Sequence, residues 1–146
     1  MNTDSSGLLF IEQQEGFSPT VTGDTGGKQE VGYGHDLLPG ESFPSGISQD
    51  DAVQLLSQDV SKCDRAIAAL GWDLNQNQWN ALADFAYECG IGALRQLAAH
   101  GMDQVTSQLP RWSHASVNGV MTVMPGMVRR RLAEVELWQS APVTIQ

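Results

Sequence analysis

Residues 15–35, EGFSPTVTGDTGGKQEVGYGH, decide how the rest of the chain must be arranged. The stretch breaks helical periodicity. Pro19, Gly23, Gly26, Gly27, Gly32 and Gly34 punctuate two short β-favouring pieces, Thr20-Val21-Thr22 and Glu30-Val31-Gly32-Tyr33. A small antiparallel hairpin or three-stranded sheet is expected, with Asp24-Thr25-Gly26-Gly27 as a turn. Asp24 suits that turn by its own side-chain chemistry. Period-2 alternation puts Glu30, Gly32 and Gly34 on one face and Val31, Tyr33 and His35 on the other. Glycines beside Glu30 leave its face open to close approach by a ligand. The stretch holds three carboxylates, Glu15, Asp24 and Glu30. Two carboxylates held rigidly across a cleft are what acid/base cleavage of a glycosidic bond requires.

Upstream, residues 5–15 read as a short helix stopped by Gly16, with Leu8, Ile11 and Glu15 on one face. Glu15 then lies on the apolar side at the negative end of the helix dipole. Both conditions disfavour its anion and raise its pKa, as a general acid requires near neutral pH. Taken alone it also fits a solvated side chain in a last helical turn, since glutamate is seldom buried.

Downstream, residues 36–47 form a Pro/Gly-rich connector. Ser48, with Asp51 three residues on, starts a helix to about Leu70, striped by Ala52, Leu56, Val60, Cys63, Ile67 and Leu70. Its length of roughly 33 Å would bridge two lobes. A second helix is capped by Asn75 or Asn77 and ends at Gly90, with Trp79, Leu82, Phe85/Ala86 and Cys89 in its stripe. Shorter helices follow over residues 93–100 and 102–112. Residues 113–124 read as irregular around the Asn118-Gly119 turn. Pro125 opens a last helix to about Trp138, with Val128, Leu132, Val135 and Trp138 inward. Arg129, Arg130 and Arg131 read as a solvated face, Arg130 pairing with Glu134 at i, i+4. The whole reads as one α+β domain over 1–146. A small antiparallel β-lobe (about 16–47) and a helical lobe (about 48–140 plus the first helix) are joined by the long helix, with a cleft between them.

Composition sets the outer bounds. Hydrophobic residues make up 41% of 146, enough for a core. Seventeen Asp and Glu against eight Lys and Arg give a net charge of -9, which argues against a nucleic-acid partner. No apolar run approaches the roughly 20 residues that span a bilayer. The first ten residues lack a basic n-region and a long h-region, so synthesis in the cytoplasm without a signal peptide is expected. Cys63 and Cys89 show no metal spacing and read as buried free thiols, bridged only if their helices pack face to face. No metal or cofactor is expected.

Several motifs then align in order. Glu15-Gly16 is followed eight residues on by Asp24, and Val31-Gly32-Tyr33-Gly34-His35 closes the stretch. Asn77-Gln78-x-x-Ala81-Leu82 leads into Phe85-Ala86-Tyr87-x-Cys89-Gly90-x-Gly92-Ala93-Leu94-Arg95. Arg111-Trp112, Asn118-Gly119 and Pro125-Gly126-Met127-Val128-Arg129-Arg130-Arg131-x-x-Glu134 complete the set. Together they resemble the phage-type lysozymes, glycoside hydrolase family 24. The resemblance implies a lysozyme fold and a monomeric, endolysin-type muramidase. Its substrate would be the peptidoglycan bond between N-acetylmuramic acid and N-acetylglucosamine, reached after the protein is released to the cell wall. It implies Glu15 as general acid, Asp24 as the second acidic residue and His35 as a supporting residue.

The chain departs from that pattern at three places. Glu30 stands where the family carries Thr, which helps hold the attacking water of an inverting reaction. A carboxylate there would serve as general base or attack the anomeric carbon itself. A carboxyl separation of about 5–5.5 Å from Glu15 favours retention, and about 6.5–9.5 Å favours inversion. Thr22 stands where Tyr is common, and about six residues of a cleft-lining turn are absent after Gln96. The Glu30 departure leaves a competing expectation, an impaired wall-binding or substrate-trapping protein. A third, a lytic transglycosylase needing no attacking water, is disfavoured by the two-carboxylate spacing.

Overall fold

The computed structural model describes residues 1–23 and 28–143. Asp24 and its turn therefore lie outside the described residues. Among the described residues, six α-helices, two 3₁₀ turns and two small antiparallel sheets make an α+β arrangement.

Helix α1 (Ser5–Glu15) starts on Asp4, whose carboxylate accepts from the Gly7 amide at 2.9 Å, and ends at Gly16 with φ 73°. The same carboxylate accepts from Asn80 Nδ2 at 2.9 Å, fastening the helix start to α3. Gly7 is required there, because a Cβ would come within 2.4 Å of Asn80 Oδ1. Strands β1 (Ser18–Gly23), β2 (Gln29–Gly32) and β3 (His35–Asp36) form the first sheet in that order. Thr22 faces Glu30, and Glu30 faces Asp36. Val31, Tyr33 and His35 are buried, but so is Gly32, where a Cβ would meet Ala52 Cβ at 3.2 Å, so the face shared by Glu30, Gly32 and Gly34 is not open along its length.

Helix α2 (Gln49–Ala68) is capped by the Ser48 hydroxyl, which accepts from the Asp51 amide at 3.1 Å. Its buried residues Ala52, Leu56, Val60, Cys63 and Ile67 are those of the expected stripe. It ends two residues before the expected Leu70, which lies in the turn that follows. Helix α3 (Gln76–Cys89) opens with a capping box between Asn75 and Gln78. Every residue from Trp79 to Ala86 is buried. The apolar spacing predicts a single stripe, but α3 is enclosed by α1, α2, α4 and α6 and serves as the central axis of the helical part. Trp79 Nε1 donates to Asp64 at 2.7 Å, which pins the far end of α2 to α3.

Helix α4 spans Ile91–Ala98, starting two residues before the expected range because Gly90 itself supplies the cap. Residues 102–111 form no single helix: α5 (Val105–Gln108) is flanked by 3₁₀ turns, and Pro110 sits inside the second. The stretch read as irregular is a regular hairpin, β4 (His114–Val117) with β5 (Val120–Val123). Asn118 and Gly119 both have positive φ, 51° and 79°, the conformation that matches a two-residue turn to strand twist. Alternation misses this hairpin because neither face is buried.

In α6 (Pro125–Gln139) the inward face differs from the expected one. Leu132 is 54% exposed, whereas Arg130, Arg131 and Glu134 are buried beside Trp138. The solvated face expected for the arginines holds for Arg129 alone; Arg130 and Arg131 are buried, and Glu134 pairs with Arg131 rather than with Arg130. Residues 127, 131, 134 and 138 follow a helical repeat as well as the apolar set does, and the partners on α3 decide between them. Cys63 and Cys89 are free, and burial pushes their thiols up to about 12 and about 11. No helix among the described residues is long and apolar enough to cross a membrane.

His35 ties the sheet to α2. Its Nδ1 lies 2.6 Å from Asp59 of α2 and its Nε2 lies 2.7 Å from Glu41 of the connector. A ring that donates from both nitrogens is the imidazolium. Burial opposes that charge, but the two carboxylates outweigh it, and the pKa rises above the ordinary 6.5. A raised folded-state pKa contributes stability that is fully present below the unfolded value and is lost as pH rises through the folded one. The melting temperature should therefore fall on the alkaline side of 6.5. The His35→Gln variant should lack that limb in a melting series from pH 6 to 9; the same slope in both proteins would contradict the assignment.

Candidate active site

Glu15 ends α1 with its side chain turned toward α6. Its Oε1 lies 3.0 Å from Arg130 Nη2. Arg130 is itself held in a bidentate pair with the fully buried Asp84 of α3, Nε to Oδ2 at 2.9 Å and Nη2 to Oδ1 at 2.8 Å. Glu88, one turn further along α3, approaches Arg130 Nε at 3.1 Å and also pairs with Arg131. Arg131 Nη2 donates to Glu134 at 3.0 Å, and a closer contact, Nε to Oε1 at 2.6 Å, is not aligned as a hydrogen bond. Arg131 also stacks over Phe85 at 5.2 Å and donates to the Trp112 carbonyl at 3.3 Å.

Two guanidinium groups thus face four carboxylates: Glu15, Asp84, Glu88 and Glu134. Full ionisation would set four negative charges against two positive ones, which disfavours the anions of the most buried acids. Glu134 is raised well above the ordinary carboxylate range by its burial and by the adjoining Asp84. Glu15 is raised too: burial dominates, Arg130 pulls the other way, and the charges of Asp84 and Glu88 add to the rise. Yet the Glu15 side chain keeps 18% of its surface accessible, so a ligand can reach its proton.

Gly34 makes the other wall. It sits in the turn between β2 and β3 with φ 77°, and a Cβ there would come within 2.6 Å of Glu15 Oε2. A side chain at that position would cover the carboxylate. Beyond Gly34 opens a groove of about 340 Å³ between the sheet and the helices, lined among others by Asp36, Asp59, Lys62, Tyr87 and Ile91. The Tyr87 hydroxyl donates to the Tyr33 carbonyl at 2.5 Å. Burial first, then the charges of Glu15, Asp59, Asp36 and Glu30, hold that phenol protonated. Tyr87 thus stands among carboxylates from α1, α2 and the sheet.

Glu30 has a different environment. It is half exposed, lies beside Asp36 across the sheet, and meets Lys28 Nζ at 3.7 Å. Lys28 also reaches Asp36 at 3.5 Å. No ion pair joins Glu30 to the Arg130 cluster among the described residues. The sequence points to Glu15, Asp24, Glu30 and His35, of which Asp24 lies outside the described residues; it does not point to Asp84, Tyr87, Glu88, Glu41 or Asp59, and it assigns Arg130 to a solvated face. Only Arg130 carried a sequence signal: a charged residue in register with the buried Trp138 face. The others lie on helices or loops where a charge ordinarily meets water.

Removing Arg130 would leave the fully buried Asp84 without its cation, while Glu88 would keep Arg131. Arg130→Met should cost about 3–5 kcal/mol in stability, the usual result of breaking a buried pair from one side. Urea denaturation measures this, and a loss under about 1 kcal/mol would refute the buried-pair account.

The phage lysozyme family model matches residues 12–134. An endolysin of Acyrthosiphon pisum secondary endosymbiont phage 1 is 29% identical over 150 residues, covering 97% of this chain and 100% of that protein. Among solved structures, the muramidase domain of SpmX from Asticcacaulis excentricus superposes with a TM-score of 0.83 at 26% identity, over 96% of this chain and 99% of that one. The endolysin from Escherichia coli O157:H7 phage FAHEc1 gives 0.82 at 25% identity, over 95% and 94%. With a family match from within α1 to Glu134 and the fold shared end to end, the chain belongs to the phage lysozyme family.

Proposed function

We propose that this protein is a peptidoglycan muramidase, hydrolysing the β-1,4 bond between N-acetylmuramic acid and N-acetylglucosamine. One monomeric domain over 1–146 would act, without nucleic acid, metal or cofactor, on the wall after release from the cytoplasm. The observation that carries the reading is Glu15, a reachable carboxyl whose pKa burial raises while Arg130 fixes its position. Endolysin and muramidase relatives point the same way.

In this mechanism the sugar chain lies along the groove. Glu15 gives its proton to the glycosidic oxygen as the C1–O bond breaks, and the N-acetylglucosamine hydroxyl leaves neutral. Asp24 would be the second acidic residue, and positive charge at C1 is met from the opposite face. Glu30 has two courses there. As a base it removes a proton from water while that water bonds to C1. As a nucleophile its carboxylate bonds to C1, and water later releases the sugar with Glu15, now ionised, taking the proton. His35 supports the site by holding β3 and the connector on α2. Alternatively the chain is an impaired, wall-binding or trapping protein. The feature that favours this alternative is the tether of Glu30 to Lys28 on the sheet, at 3.7 Å.

Clearing of outer-membrane-permeabilised cells decides between these readings. Activity should decline as pH rises through the raised pKa of Glu15, and Glu15→Gln should lose about 10²–10⁴-fold of the rate with its circular dichroism unchanged. A folded wild-type protein that clears nothing between pH 4 and 8 would overturn the muramidase reading. For Glu30, intact mass after incubation with wall fragments is decisive. A sugar adduct absent from Glu30→Thr identifies a nucleophile, and an inverted product without adduct identifies a base.

A further inference from the structure

We propose that Lys28 is a positioning residue for Glu30, holding it as an anion against the opposed carboxylate of Asp36. The inference rests on the muramidase reading above, in which Glu30 works in its ionised form as base or nucleophile. Glu30 of β2 and Asp36 of β3 are directly opposed across their antiparallel pair. Residues so opposed share one face of the sheet, with Cβ atoms roughly 5 Å apart. Asp36 lines the groove at Tyr87, and the charges of both acids act on the Tyr87 phenol. Two like charges at that spacing repel, which favours proton uptake by one of them.

Lys28 supplies the compensation. It stands two residues before Glu30, so alternation returns its side chain to the same face. Its Nζ lies 3.7 Å from Glu30 Oε1 and 3.5 Å from Asp36 Oδ1. Among the described residues no other cation pairs with either acid. Thr22, opposite Glu30 on β1, carries no charge. Around the groove, Asp59 of α2 is paired with His35, Glu15 of α1 is paired with Arg130, and Lys62 of α2 is exposed.

Lys28 does not itself line the groove at Tyr87. With Asp36 and Glu41 it lines a neighbouring cavity of about 380 Å³. Its ammonium therefore reaches the two acids from outside the groove and acts on the reaction only through them. Both ion pairs are exposed, so they add little to the stability of the fold. What they set is charge, because the shared cation keeps two opposed carboxylates ionised together. The tether between Lys28 and Glu30 then belongs to a working site rather than to an impaired one.

Carbon-13 NMR titration of the Glu30 side-chain carboxyl, run beside clearing of permeabilised cells, tests this. In Lys28→Met, Glu30 should bind its proton about threefold more tightly than in the wild type, and the acid-side fall in clearing should move to higher pH accordingly. The alkaline-side decline, set by Glu15, should stay where it is. Lys28→Arg should restore wild-type behaviour in both measurements, and Lys28→Gln should behave as Lys28→Met. Lys28→Met combined with Asp36→Asn should return the Glu30 titration to its wild-type position, because the opposed charge is gone. An unchanged Glu30 titration in Lys28→Met, an equal change in the double variant, or tighter proton binding with clearing unaltered at every pH would each overturn the proposal. The expected titrations in a protein that clears nothing overturn only the muramidase reading, and clearing with an unmoved Glu30 titration overturns only this inference.

Discussion

The structure depends on one buried electrostatic knot, the two adjacent guanidinium groups of α6 set against carboxylates from α1, α3 and α6 itself. A buried ion pair is a weak source of net stability, because desolvation of both charges offsets most of their attraction. Its strength lies in what it forbids. With Asp84 fully buried on α3, α6 cannot rotate or slide without stranding a charge, so the register of the two helices is fixed. Glu15 belongs to the same knot from its exposed side, and that fixes where its proton is presented.

The two candidate carboxyls selected from the sequence that the structure describes occupy opposite environments. Glu15 is drawn into the protein, where burial and neighbouring acids favour its protonated form. Glu30 sits half exposed on a strand, beside Asp36 and within reach of Lys28. A pair of acids set in contrasting surroundings is the usual physical basis for dividing acid and base roles. Gly34 serves both, because the absence of a side chain there keeps the Glu15 carboxylate open toward the groove.

The helical part carries a second feature with a different logic. The hairpin at residues 114–123 buries neither face, so it adds little to the core. Its Asn-Gly turn and ladder nonetheless hold it in regular form, from His114 opposite Val123 to Val117 opposite Val120. Apolar strands left in water contribute little to holding the fold together.

The sequence by itself determined the features that are local. Asp4, Ser48 and Asn75 cap helices because short polar side chains satisfy free amides. The α2 stripe follows from apolar spacing, and the alternation of Val31, Tyr33 and His35 sets the buried side of the sheet. The ordered motifs carried the family as well. Only the tertiary structure decided the fate of the charges. Arg130, Arg131 and Glu134 fit a solvated helix face by spacing alone, and they are buried because Asp84 and Glu88 of α3 stand opposite them. Glu41 and Asp59 likewise matter only because folding brings both to His35. Apolar periodicity is written along one element, whereas the partner that compensates a buried charge lies on another.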